Sequence, residues 1–170
     1  AVFGETCPQY LLFTVDQLRR PDGSKWICSP PVREKADNER LWEGVADGTI
    51  SVIGTDHCPF FYDGSRAIWY DDDWVAIPGK ELGRNDFSKV PNGVPGVGDR
   101  LPILWTCGVG AGKITPSQFV ALTSTNPARI FGLYPKKGSL IPGADADIVI
   151  WDPEKVVDYG AKVARHRTDY

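Results

Sequence analysis

The sequence predicts an α/β chain in which a parallel strand, helix, strand unit leads into further helices and then into a second, β-rich layer. Three observations carry this. Residues 1–7 read as a short buried strand, and residues 50–54 as a second, mainly apolar one without sustained alternation, the pattern of burial on both faces. Residues 34–46 between them have helical spacing, with Leu41, Trp42 and Val45 on one face. After Leu133 the chain changes to extended segments on either side of Pro142-Gly143.

Taken in order, the first strand is followed by the run Pro8-Gln-Tyr-Leu-Leu-Phe and a turn at Pro21-Asp-Gly. Ile27-Cys-Ser-Pro-Pro must be extended, because each proline pushes the residue before it out of the helical region. The helix over 34–46 ends at Asp47-Gly48, and the second strand starts at Ile50. Residues 60–98 are rich in Gly, Pro and Asp and show no sustained period; loops of this length are functional lids or disordered. Trp69, Tyr70 and Trp74 around Asp71 to Asp73 favour an ordered excursion, a hairpin. Residues 100–109 read as a helix. Thr115, Pro116 and Gln118 give three agreeing start signals for the next one: N-cap, first-position proline and capping-box partner. Asn126 repeats the device for a short helix stopped at Gly132. The expected division is residues 1–132 and 133–170, the latter a second domain.

Composition limits the function. The 170 residues are 42% hydrophobic and 24% charged, with a formal charge of −3, the bulk of an ordinary globular chain. No basic block or aromatic-basic stripe suggests a nucleic-acid partner. No apolar run approaches the roughly 20 residues needed to cross a bilayer, and no basic-then-apolar leader opens the sequence, so the expectation is a cytoplasmic protein without membrane partners. Cys7, Cys28, Cys58 and Cys107 form no C-x-x-C pair, so they are expected as free thiols. The sequence starts inside a strand-like pattern and contains no methionine, so it is expected to be part of a longer polypeptide.

The stretch GTDHCPF, residues 54–60, places an acid, an imidazole and a thiol at the end of the second strand. In barrel enzymes that strand end carries the catalytic groups, which makes Asp56 a candidate metal ligand or general base. An aspartate in a turn also serves to accept backbone N–H bonds, and position alone leaves both roles open. His57 is expected as a hydrogen-bonded structural residue and Cys58 as small apolar filling. A hydrolytic metal centre needs three or more protein ligands per ion, usually with imidazole, and the chain has two histidines, His57 and His166. It cannot build a histidine-rich centre alone. No G-x-S-x-G elbow, Walker loop or G-x-G-x-x-G follows a strand. Gly93-Val-Pro-Gly-Val-Gly follows a loop and reads as turns.

Several segments together resemble the cyclic amidohydrolases called dihydropyrimidinases or hydantoinases. They are GETCPQYL at 4–11, SPPVR at 29–33, GTDHCPF at 54–60, NDFSKVPNGVPGVGDRLP at 85–102 and STNPARIFGLYPKKGSLIPGADADIVIWDP at 124–153. They occur in the family's order and cover most of the chain. The resemblance implies the C-terminal part of a (β/α)8 barrel, its last two strands and helices, plus the start of a small β-sandwich. It also implies two zinc ions held by four histidines, a carboxylated lysine and one aspartate, of which only the aspartate, Asp56, would lie in this chain. The zinc pair would acidify a bridging water and polarise the ring carbonyl. Asp56 would take the proton as attack begins and pass it to the departing amide nitrogen. Ser29 and Asn92 match positions that grip the cyclic diamide, largely through backbone groups; a strand-end serine and a turn asparagine are their bland readings. The substrate-polarising tyrosine of the family would lie upstream, and the full-length protein would be a homotetramer.

Two departures stand out. Residues 62–82 form a longer connection than is usual, and Gly98 stands where an acid is common. The rival from another class is a non-catalytic relative, the collapsin response mediator proteins, which act as interaction scaffolds and lose the aspartate; Asp56, Ser29 and Asn92 favour the enzyme. A third reading, allantoinase or dihydroorotase, shares the aspartate but should lack the combined SPPVR and PNGVPG pattern.

Overall fold

The structure, a computed structural model, describes residues 1–64, 66–160, 163–164, 166 and 168–170, and the backbone alone at 66–69. Strand β1 (Gly4–Thr6) pairs in parallel with β2 (Ile50–Ile53), Glu5 opposite Val52 and Thr6 opposite Ile53. The Gly54 N–H extends the ladder to the Thr6 carbonyl at 2.9 Å. The expected parallel unit forms, and its crossover is built mainly of helix.

The apolar run after β1 folds into α1 (Pro8–Leu12), with proline in its first turn, and α2 (Val15–Leu18) follows. The signal for α2 is a capping box: Thr14 accepts from the Gln17 backbone and Gln17 accepts from the Thr14 N–H. A 3-10 turn at Gly23–Trp26 stands at the expected Pro-Asp-Gly turn. Helix α3 (Lys35–Asp47) is opened by a Glu34–Asp37 capping box and closed by Gly48 at φ 86°, a left-handed cap that glycine adopts without penalty. It buries Asn38, Trp42 and Val45. Asn38 donates to the Tyr10 and Phe13 carbonyls at 2.6 and 3.0 Å, and the Trp42 indole donates to Leu11 O at 3.1 Å. Buried polar atoms therefore close the C-terminal end of α1 against α3.

The long connection contains the expected hairpin, β3 (Arg66–Tyr70) antiparallel to β4 (Asp73–Ile77), with Asp71 and Asp72 at positive φ in its turn. The Trp69 side chain lies outside the described residues. Two 3-10 turns follow, at Lys80–Gly83 and Phe87–Lys89.

Helix α4 (Arg100–Leu104) continues through a wide π turn to Val109. Helix α5 (Pro116–Val120) begins with the predicted Thr115 cap, first-turn proline and Gln118 capping box, and Gln118 also donates to Ala46 O at 2.9 Å. The core joins Leu11, Trp42, Val45, Ile53, Leu104, Ile114, Phe119 and Leu122, so both later helices close over β2 and α3. Each fully buried leucine or isoleucine here contributes roughly 2 kcal/mol of transfer free energy.

Two expectations are corrected. Asn126 is not an N-cap: it has helical dihedrals (φ −66°, ψ −47°) between a π turn over Ala121–Thr125 and α6 (Asn126–Ile130). The wider turn lets Pro127, which has no N–H, enter without breaking the helix. The Asn126 side chain instead donates to Ser51 O at 2.9 Å, tying the helix to β2. Beyond Gly132 the two expected β segments are extended chain and turns, with no strand among the described residues. Ile148, Val149 and Ile150 are 63, 72 and 94% exposed, and their apolar run pairs with no strand among the described residues. Trp151 anchors this region by packing on Trp105 and Phe119, with ring centroids 5.3 and 5.5 Å away. Lys137 pairs with Asp145 and Asp147 around the Pro-Gly turn.

Candidate functional site

The segments carrying Ser29, Asp56 and Asn92 lie far apart in sequence and meet beyond the C-terminal ends of β1 and β2. The second strand end is held by Arg100, whose guanidinium donates to Ile53 O at 3.0 Å. Gly54 then passes so close to Glu5 that a Cβ on it would lie 2.5 Å from the carboxylate oxygen. His57 makes a parallel bridge with Val94, and the Cys58 N–H donates to Val94 O at 3.1 Å. The His57 Nδ1 accepts two backbone N–H bonds, from Gly96 and Val97, each at 3.1 Å. This imidazole is structural, as expected, and its Nε2 is the nitrogen left to carry the ring proton in the neutral form. Cys58 is exposed rather than filling a core, which corrects the expectation for it; all four cysteines are free thiols.

The other two segments join in the same way. The Gly93 N–H donates to Ile27 O at 2.9 Å, which brings Asn92 beside the strand-like stretch ending in Ser29. The Tyr10 hydroxyl and the Cys28 thiol both donate to Pro30 O, at 3.1 and 3.4 Å, and fix the chain just after Ser29. The Ser29-Pro30 peptide is cis.

Asp56 stands at φ 48°, a left-handed position that aspartate tolerates. Its side chain, like those of Ser29 and Asn92, is exposed, and among the described residues none of the three is engaged in a hydrogen bond. Asp56 is thus not spent on capping its own loop. Three nearby groups that feel its charge are held in their protonated forms. Burial first, and then the Asp56 charge, pushes the Cys7 thiol up to about 11. Burial is also the main cause that raises Tyr10 and Cys28, with Asp56 adding to both.

Sequence reasoning missed Lys80. It is only 2% exposed, and its ammonium donates to Ile27 O at 3.1 Å and Pro91 O at 3.2 Å. Its local sequence is a loop with no periodicity, so nothing there announces a buried cation. Tyr10, Cys7, Cys28 and Arg100 were missed for a similar reason: each acts across the fold and not within a motif.

As a metal site, the corner fits in part. Asp56 offers an open carboxylate at the strand end, but among the described residues no group of three or more His, Cys, Asp or Glu could hold an ion. The described residues therefore present the Asp56 carboxylate without a set of ligands that would make a metal centre. No helix among the described residues is long and apolar enough to cross a membrane.

Comparison with known proteins agrees with this geometry. The amidohydrolase family model matches residues 25–167. The chain is 44% identical over 171 residues to a D-hydantoinase of Streptomyces coelicolor, covering 99% of this chain and 33% of that protein. It is 43% identical to a D-phenylhydantoinase of Escherichia coli, covering 99% and 34%. Among solved structures, a D-hydantoinase crystal structure superposes with TM-score 0.88 at 43% identity, covering 99% of this chain and 34% of that one. A dihydropyrimidinase from Brevibacillus agri gives 0.75 at 45%, covering 85% and 29%. The chain thus spans about one third of the length of the curated relatives it matches. The parallel unit, with helices closing over it and its open carboxylate at the strand end, is consistent with a barrel of the (β/α)8 type. On the family match over most of its length, this chain belongs to the amidohydrolase family.

Proposed function

We propose that the protein carrying this segment is a metal-dependent hydrolase that opens cyclic amide rings of the dihydropyrimidine or hydantoin type. The observation that carries the reading is the convergence of the three motif segments, with Asp56, Ser29 and Asn92 exposed and unengaged at one corner beyond the strand ends. The similarity to hydantoinases over 99% of the chain supports the substrate class.

In this reading the metal, proposed to be a zinc pair, supplies an acidified water and a polarised ring carbonyl. Asp56 is its one ligand in this chain. Its second role is proton transfer: the carboxylate takes the proton released as water attacks and delivers it to the ring nitrogen as the C–N bond breaks. The backbone near Ser29 and Asn92 holds the diamide edge, which places the scissile carbonyl against Asp56. The raised Cys7, Tyr10 and Cys28 stay protonated beside it and so add no charge of their own to the corner. The division at residues 132 and 133, a sandwich completed by other parts of the polypeptide, a homotetramer and a cytoplasmic location belong to the same proposal. The four free thiols support a reducing compartment.

The test is ring opening of dihydrouracil and hydantoin by the full-length protein, read alongside the coding sequence upstream of Ala1. That sequence should supply His-x-His, a lysine and two further histidines at successive strand ends. A contiguous frame without those ligands, or a zinc-loaded protein that opens neither ring, would sink the reading and promote the scaffold alternative.

A further inference from the structure

Lys80 is a buried cation without a carboxylate partner among the described residues, held by two backbone carbonyls alone. Burying an ammonium in this way is unfavourable unless its hydrogen bonds are used. The two carbonyls belong to different irregular segments, one ending in Ser29 and the other running into Asn92. The Ile27 carbonyl is shared: it accepts from Lys80 Nζ at 3.1 Å and from the Gly93 N–H at 2.9 Å. The backbone of Lys80 reaches a third segment, donating to Phe61 O at 2.7 Å just past GTDHCPF. One residue thus bonds within or within two residues of all three motif segments, from a position after the inserted hairpin.

We propose that Lys80 is a positioning residue that sets the spacing of the Ser29 and Asn92 loops for the cyclic amide. The inference rests on the ring-opening reading. A tetrahedral ammonium on a four-carbon stem bridges two carbonyls that cannot bond each other, since both only accept. Without it the two loops keep the Ile27 to Gly93 hydrogen bond and the packing of Val94 with Cys28 and Val32, but lose the two charged bonds that fix their separation, and the substrate edge they form loosens. Lys80 contacts no reacting atom, so ground-state binding should suffer more than chemistry.

The experiment uses full-length enzyme and the variant Lys80→Met, which keeps the stem and removes the donors. The expected result is a KM for hydantoin raised about tenfold or more, with kcat within about threefold and bound zinc unchanged. Amide hydrogen exchange should quicken at residues 27–29 and 91–94 while α3 stays protected. If Lys80→Met yields no folded enzyme, Lys80→Gln, which retains an N–H donor, is read in the same way. Wild-type KM in a folded variant overturns the inference, whether or not exchange changes. Failure of both variants to fold also overturns it, since Lys80 then supports the fold as a whole. Absence of ring opening by the wild type is a different result: it removes the functional reading on which the inference rests.

Discussion

Gly93 lies against Cys58 so closely that a Cβ on it would sit 2.4 Å from the Cys58 carbonyl oxygen and 2.7 Å from its Cβ. Its φ of 147° is a conformation that side chains disfavour as well. The GTDHCPF and PNGVPG segments therefore meet through a position where only hydrogen fits. Gly93→Ala should cost about 2 kcal/mol or more of stability, from backbone strain plus the clash. Denaturant unfolding of the full-length protein checks this; an unchanged midpoint would show that the two loops can separate freely.

Asp56 and His57 are neighbours with different work. Asp56→Asn keeps the left-handed backbone, which asparagine also tolerates, and breaks no hydrogen bond among the described residues. Ring opening should fall by roughly 10²–10⁴-fold or more with the melting temperature nearly unchanged. His57→Ala should do the reverse, because it leaves the Gly96 and Val97 N–H groups without their acceptor. The expected loss is about 1–3 kcal/mol of stability with a smaller effect on kcat. Steady-state kinetics and thermal melting of both variants separate the roles, and comparable turnover by zinc-loaded Asp56→Asn would refute the shuttle.

Burial holds Lys80 down to about 8, well below a free lysine. Below pH 8 both folded and unfolded chains carry the proton, and the cost of burying charge is fully present. Between about pH 8 and 10.5 the unfolded chain still binds the proton that the folded one has released, so stability rises with pH through that window. Above it there is no further change. The denaturation midpoint of wild type relative to Lys80→Met should thus shift in favour of wild type between pH 8 and 10. A flat difference would mean that Lys80 is solvated in solution. A neutral amine still has two N–H donors, so both carbonyl contacts survive the titration.

The 170-residue polypeptide by itself should neither fold well nor react. Strands β1 and β2 have only each other as sheet partners among the described residues, and Ile148, Val149 and Ile150 lie exposed. Open edges and uncovered apolar surface favour association. With no group of three or more potential ligands among the described residues, added zinc should not produce ring opening. Light scattering and a hydantoin assay on the purified chain test this. Zinc-dependent turnover free of contaminating full-length enzyme would show that the corner is more complete than its residues indicate.

What the sequence determined by itself is what depends on neighbours along the chain. The Thr115, Pro116 and Gln118 signal set the start of α5, Asp47-Gly48 ended α3, and the strand-like segments on either side of that helix marked the two parallel strands. The order of the short motifs pointed to Asp56, Ser29 and Asn92. Local rules failed at Asn126, where a capping residue followed by proline looked like a helix start. A wide turn already carried the helix past it, and its amide was claimed by Ser51. Only the tertiary structure decided how the corner is assembled. Lys80 reaches a carbonyl 53 residues away, His57 gives its acceptor to amides 39 and 40 residues on, and Gly93 is required by the approach of Cys58. The side chains in such bonds end on backbone groups, whose chemistry is the same at every residue, so the amino-acid letters carry no mark of which carbonyl a buried ammonium will find.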